Sequence, residues 1–309
     1  MNKNIFLSGC EFVLGETTDI AHLPLDKETI AALKKKQVEA CSVSTGKTIP
    51  ALAADAIRCS LNSTKIDPSS VEAVVFCTSS YWHYQQISAK AIGNVLDDLG
   101  LGKANLILTS VMGCHNAPTG MRLARNLIRA ENYENVILVT CDLNQTDVTR
   151  LTKEPAIMGD GAASCVISSH HQSEYRLIDI AQLDRHSLGR YTDSERDSQL
   201  RFLEWMRGAK TVVDTVISRN GLKIADIKAF IPNNYNAEMS QNLAKKIGVN
   251  PIVLFPFNAM SGHVWSSDVL ISLSRIDKEM DLKDRDTILL LGTGPQNFGA
   301  VLLEKVIAV

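Results

Sequence analysis

The chain has 309 residues, 45% of them apolar and 21% charged, with a formal net charge of −2. That length and composition suit one large core or two intimately packed halves of an ordinary globular protein. Acidic and basic residues are interleaved, which argues against a general affinity for nucleic acid or a membrane surface; the run Lys34–Lys36 is too short to change that.

The N-terminal apolar run ends at Glu11, too short for a signal-peptide core, and no other segment approaches a membrane span, so a cytoplasmic location is expected. Seven cysteines are an odd number and show neither CxxC nor Cys/His metal spacing. A disulfide framework and a zinc site are both disfavoured.

In chain order, residues 5–14 read as a first strand, and Pro24 with Leu25 and Asp26 punctuates entry to a helical stretch through Lys36. Residues 38–43 are short and mixed, and their pattern places them in neither class. Thr48 is positioned to cap a helix with Pro50 in its first turn, and Leu52, Ala56 and Ile57 recur at helical spacing. Asp67 and Pro68 mark the turn into residues 71–77, an uninterrupted apolar run of the kind found in a buried parallel strand. Then come Tyr81, Trp82, His83 and Tyr84 within residues 78–86. Four large rings in a row do not alternate as a strand does; a loop is expected, with its aromatics packed into a cleft or against a partner. A helix over 87–99 leads to an apolar run at 106–108.

The segment from Asn105 to Ala130, NLILTSVMGCHNAPTGMRLARNLIRA, carries the main chemical signal. Its apolar start gives way to Gly113, Cys114, His115 and Asn116, then to a helical pattern in which Leu123, Leu127 and Ile128 share a face. Cys114 therefore sits at a strand-to-helix joint, where free backbone N–H groups and the helix dipole favour thiolate over thiol. The six other cysteines read as small apolar residues, with Cys59 in a helix-like segment and Cys77, Cys141 and Cys165 in or beside strand-like runs. His115 adjoins Cys114, but neighbouring residues on a helix point about 100° apart, so adjacency does not make it the base.

Beyond this segment lie a buried strand at 135–141, a polar stretch to Pro155, a glycine-rich turn at 158–163 and a strand at 164–168. The turn lacks the GxGxxG spacing and the following helix of a phosphate site; Gly159 and Gly161 read as packing glycines. A seam at 170–173 divides the chain into expected halves of 1–172 and 173–309. The second half repeats the grammar of the first: strand 175–183, helix 198–219, strand 226–232, helix 236–247, strand 252–255, a helix from about 266, strand 287–291, a glycine turn at 292–294 and strand 299–306. Such duplication implies an α/β fold with mostly parallel central strands, in which equivalent loops converge on one cleft.

Five motifs in this order resemble the thiolase superfamily, and within it the β-ketoacyl-ACP synthase III branch. They are Cys114 before its helix, MGDGAASCVI from Met158, IPNNYN from Ile231, SGHVWSSD from Ser261 and GTGPQNFG from Gly292. The resemblance spans essentially the whole chain and implies a thiolase-like αβαβα fold, a homodimer, and Cys114 as the nucleophile that takes an acyl group from a phosphopantetheine or CoA thioester. A free cysteine is only a few per cent thiolate at pH 7; a shift of about two units makes the thiolate dominant, as a helix N-terminus and an imidazolium together can arrange. Gly294 matches the position whose backbone N–H forms the oxyanion hole with that of Cys114. Tyr81, Trp82, His83 and Tyr84 match a loop that reaches the partner's acyl pocket and lines the substrate site.

Two departures bear on the reaction. The family usually has a histidine after the proline where this chain has Asn233, and an asparagine after the glycine where it has His263. Such an exchange, with Asp268 five residues after His263, resembles synthase-III-like acyltransferases of natural-product pathways. It implies a Cys114–His263–Asp268 triad in which the carboxylate orients the imidazole, which then accepts a proton from a hydroxyl or amine acceptor. Asn233 and His263 also remain as the two donor types of a decarboxylating ketosynthase, and a non-catalytic partner subunit is a third reading. No metal and no permanently bound cofactor are implied. The Trp and Arg clamp for CoA adenine is absent around residues 32–45, which leans towards an acyl carrier protein rather than CoA as the donor.

Overall fold

The structure, a computed structural model, describes residues 3–80, 87–110, 112–144, 146–151, 156–170 and 174–307. The first half contains β1 (Phe6–Leu14), β2 (Glu16–Asp19), α1 (Lys27–Lys35), β3 (Ala40–Val43), α2 (Ile49–Thr64), β4 (Val71–Cys77), α3 (Ala89–Asp98), β5 (Asn105–Thr109), α4 (Asn116–Ala130), β6 (Asn135–Asp142) and β7 (Gly161–Ser168). The second contains β8 (Tyr175–Asp184), α5 (Glu195–Arg219), β9 (Ile227–Pro232), α6 (Ala237–Ile247), α7 (Asp268–Glu279), β10 (Thr287–Thr293) and β11 (Asn297–Lys305). The side chains of Asp26, Thr48, Ser88, Ser194 and Asn236 each accept a backbone N–H of the helix that follows, which fixes where five of these helices begin. Residues 40–43, ambiguous in sequence, pair with β2 in a small antiparallel sheet.

The main sheet has nine strands in the order β5-β4-β6-β7-β1-β8-β11-β10-β9. Outward from the β1/β8 junction, the first half runs β1, β7, β6, β4, β5 and the second β8, β11, β10, β9, so that each half passes from its first strand to its last and then inward through the chain, and the duplication is visible in the topology. The strand expected at 252–255 does not form. Pro251–Val253 instead make a turn of 3-10 helix, and only Leu254 bridges Phe230, with Phe255 N–H donating to the Phe230 carbonyl at 2.8 Å. Pro251 and Pro256 lack backbone donors, which limits any longer ladder here. The expected boundary at 172/173 falls on residues outside those described.

Mostly parallel strands were also expected, and the sheet is mixed. β4 pairs parallel with β5 and β6, and β9 with β10. The pairs β6–β7, β7–β1, β1–β8, β8–β11 and β11–β10 are antiparallel. Only residues 294–296 separate β10 from β11, too few for the crossover that a parallel pair requires, so the chain reverses.

Three core clusters define the layers. α2 and α3 cover the outer face of the first half, and α5 and α6 that of the second. Between the halves, Ala117, Met121, Ala124 and Ile128 of α4 and Val269, Leu270, Leu273 and Ile276 of α7 are buried against strands of both. β1 and β8 pair only through Phe6 and Leu7 with Arg176 and Tyr175, and the two halves of the sheet diverge from that narrow junction around α4 and α7. The result is the expected αβαβα stack. No helix among the described residues is long and apolar enough to cross a membrane.

Candidate active site

The two central helices bring the chemistry together, because their N-termini enter the same region from opposite halves. At the end of β5 the chain turns through Gly113–His115, one turn of 3-10 helix that runs directly into α4. Cys114 lies in this first turn, where backbone N–H groups have no preceding helical carbonyl. It is 8% exposed. Its Sγ lies 2.9 Å from His263 Nε2, a contact across 149 residues of sequence.

His263 is pinned through its own backbone. Its N–H donates to the Ile157 carbonyl at 2.7 Å, and its carbonyl accepts the Gly159 N–H at 2.9 Å, so the glycine-rich turn of the first half serves as a single rung beside it. A Cβ on Gly159 would lie 2.2 Å from the Ser261 carbonyl oxygen, and one on Gly262 would lie 2.7 Å from that of Ile157; the close approach therefore requires glycine at both positions. Below this rung, Asp160 takes two hydrogen bonds from the buried Arg150 guanidinium and others from Ser44, Asn144 N–H and Asn144 Nδ2.

The other ring nitrogen, Nδ1, lies 2.5 Å from Asp268 Oδ2. Asp268 is the first residue of α7, and its oxygens also accept the N–H groups of Asn234 at 2.6 Å and Val264 at 2.7 Å. Burial on its own would lower the His263 pKa. The facing charges of Cys114 and Asp268 outweigh it and raise the value to about 10. The Cys114 sulfur, the His263 ring and the Asp268 carboxyl group thus form one continuous line of contacts.

Between His263 and Asp268 the chain passes through Trp265, whose φ of +50° is a left-handed conformation costly for a bulky residue. Asn233 holds this turn: its Nδ2 donates to the Trp265 carbonyl at 3.2 Å, and its Oδ1 accepts the Thr293 N–H at 2.8 Å. The amide that the resemblance placed in the catalytic set thus braces the end of β9 to β10 and to the His–Asp turn. The Gly294 backbone N–H donates to the Asn297 carbonyl at 2.8 Å and closes the β10–β11 turn. A Cβ on Gly294 would lie 2.5 Å from the Met112 carbonyl oxygen, two residues before Cys114, so glycine is required where these two turns meet.

His115 faces away from the relay. Its ring contacts Thr119 Oγ1 at 3.2 Å and Gln182 Nε2 at 3.4 Å, and burial lowers its pKa to about 4, leaving a neutral core histidine. Cys41 and Cys77 are buried thiols pushed up to about 11 and about 12 by burial. Tyr81, Trp82, His83 and Tyr84 lie outside the described residues. Among those described, no group of three or more His, Cys, Asp or Glu side chains is placed to hold a metal.

Two residues to which the sequence assigned no role complete the site. Tyr235, inside IPNNYN, stacks its ring 4.3 Å from that of His263, and Trp205 of α5 donates from Nε1 to the Gly294 carbonyl at 2.9 Å. An aromatic residue between two strand-end asparagines was the available signal for the first; Trp205 carries no signal distinguishing it from an ordinary core residue.

Asp268→Asn retains the shape of this relay but removes one of the two charges that raise the histidine. It should slow transfer from acylated enzyme by about 10² to 10⁴-fold and displace the ionisation of His263 to lower pH, read from single-turnover rates as a function of pH. An unchanged rate would reduce Asp268 to a helix-capping residue.

Two family models match the chain: 3-oxoacyl-[acyl-carrier-protein] synthase III over residues 110–184 and its C-terminal domain over 217–304. A β-ketoacyl-[acyl-carrier-protein] synthase III of Staphylococcus haemolyticus is 21% identical over 264 residues, covering 82% of each chain. Among solved structures, ChlB3, an acyltransferase, superposes with a TM-score of 0.83 at 18% identity over 98% of both chains. A variant of Xanthomonas campestris OleA with bound lauric acid and lauroyl-CoA gives 0.80 at 15% identity, covering 98% of this chain and 100% of that one.

Proposed function

We propose that this chain, which belongs to the 3-oxoacyl-[acyl-carrier-protein] synthase III-like branch of the thiolase superfamily, is an acyltransferase that moves an acyl group through Cys114 to a hydroxyl or amine acceptor in secondary metabolism. The donor is a phosphopantetheine thioester on an acyl carrier protein or CoA. The observation that carries the reading is the continuous contact from Cys114 Sγ through His263 to Asp268, at 2.9 and 2.5 Å.

The thiolate of Cys114 attacks the donor carbonyl, and His263 returns the Nε2 proton to the departing pantetheine sulfur. Acylation removes the sulfur charge that had raised the imidazole. Burial then weighs more heavily against Asp268, and the histidine becomes a better proton acceptor at neutral pH. It takes the proton of the acceptor as that oxygen or nitrogen attacks acyl-Cys114, and Asp268 holds the ring orientation throughout. Asn233 is engaged by backbone groups on both sides of its amide, which favours this role for His263 over a condensation that would use both as enolate donors.

A homodimer is part of this reading. β5 forms one edge of the main sheet and presents Leu108, 38% exposed, where a second copy would continue it.

Incubation with acyl-ACP and acyl-CoA donors and a panel of alcohol and amine acceptors tests the proposal by product mass. The expected result is an acyl adduct on Cys114 followed by an ester or amide. Release of CO₂ from a malonyl donor with formation of a β-keto product as the main activity would instead establish the ketosynthase reading. Absence of any adduct with every donor would favour a non-catalytic subunit.

A further inference from the structure

Tyr235 occupies the turn between β9 and α6, where Asn236 caps the helix immediately after it. Its ring is tilted 52° to that of His263 at a centroid distance of 4.3 Å, and its centroid lies 6.2 Å from that of Trp205, the two planes at 66°. The hydroxyl donates to the Thr293 carbonyl at 2.5 Å and lies 3.2 Å from Thr293 Oγ1. The imidazole it packs against is the one whose Nε2 lies 2.9 Å from Cys114 Sγ, so the phenol sits beside the reacting sulfur's partner. Burial, and then the charge on Cys114, hold the phenol well above its usual ionisation range, so it keeps its proton.

Two other donors near this position are already engaged. Gly294 N–H is bound to Asn297, and Asn233 Nδ2 reaches the Trp265 carbonyl. The Tyr235 O–H differs from both in that it can rotate. Its present acceptor is a neutral carbonyl, whereas an anion at Cys114 offers a charge-assisted bond roughly twice as strong.

We propose that Tyr235 is a further catalytic residue whose O–H turns from the Thr293 carbonyl towards negative charge at Cys114, first the thiolate and then the oxyanion of the thioester intermediate. No proton leaves the phenol. The bond from Cys114 sulfur to the acyl carbon forms, the carbonyl π electrons move to oxygen, and that oxygen accepts the phenolic hydrogen bond. Collapse restores the carbonyl and expels the pantetheine sulfur, which takes the His263 proton. The oxyanion part of this role rests on the acyl-transfer reading; the proposed bond to the resting sulfur does not.

Tyr235→Phe keeps the ring against His263 and removes only the donor. Loading of Cys114 from a thioester, followed by intact mass, should slow by about 10² to 10³-fold. Alkylation of Cys114 by iodoacetamide should require higher pH than in the wild type, because the thiolate has lost a donor. If the wild type is acylated and the variant matches it in both rates, Tyr235 has no such role and the acyl-transfer reading stands. If the wild type accepts no acyl group, that reading falls, and the alkylation profile decides Tyr235: a displaced profile supports its bond to sulfur, and a superimposed one overturns it.

Discussion

His263→Ala should leave Cys114 capable of some acylation while slowing transfer to the acceptor by about 10² to 10⁴-fold, the usual contribution of a positioned general base. The two half-reactions ask different things of the imidazole. Loading needs a thiolate, and solution pH can supply one without a neighbour; transfer needs a proton acceptor beside the incoming nucleophile, which bulk base replaces poorly inside a closed site. Raising the pH should therefore recover much of the loading in the variant and little of the transfer. Single-turnover experiments, in which acyl-enzyme is prepared first and its decay with acceptor is followed by mass, separate the two. Unimpaired transfer would remove His263 as the base and leave it only the part of a counter-ion to sulfur.

Cys114→Ala should abolish the acyl adduct and reduce turnover on the order of 10⁶-fold, as for removal of a nucleophile from a unit that acts together. The specificity of that result rests on the remaining thiols. Cys10, Cys41, Cys77, Cys141 and Cys165 are buried, and burial is prominent in pushing Cys41, Cys77 and Cys141 towards the inert, protonated form. Cys59 is intermediate in burial and far from the relay in sequence. Adduct mass on wild type and variant, with peptide mapping, checks the prediction; an adduct that persists in Cys114→Ala would move the acyl intermediate to another side chain.

Much of this arrangement was legible in the residues. The helix beginning after Cys114, the uninterrupted apolar strands and the repeated order of elements all reflect local chemistry that the fold does not override. What escaped was set by contacts across the duplication. Residues 252–255 have the apolar character of a strand, but two prolines and a capping asparagine hold them to one bridge. Strand direction differs from the parallel expectation because β10 and β11 are joined too tightly for a crossover. Within the site, the motif placed Asn233 near the reaction, but its amide goes to a left-handed turn at Trp265, a conformation that no residue pattern announced. The destination of the Gly294 N–H depends on how the turn closes on Asn297. Tyr235 was visible in the motif, yet its importance comes from His263, 28 positions later, folding against its ring.

The hydrogen bond between Cys114 and His263 spans 149 residues and joins one half of the duplication to the other. During synthesis the thiol emerges from the ribosome well before its base exists, and the first half can collapse around β4, β6 and α2 without activating it. Only when α7 seats beside α4 do the helix entrances face each other and the sulfur acquire its partner. Assembly of the contact is thereby coupled to completion of the chain: a product truncated before α7 has Cys114 without His263 beside it.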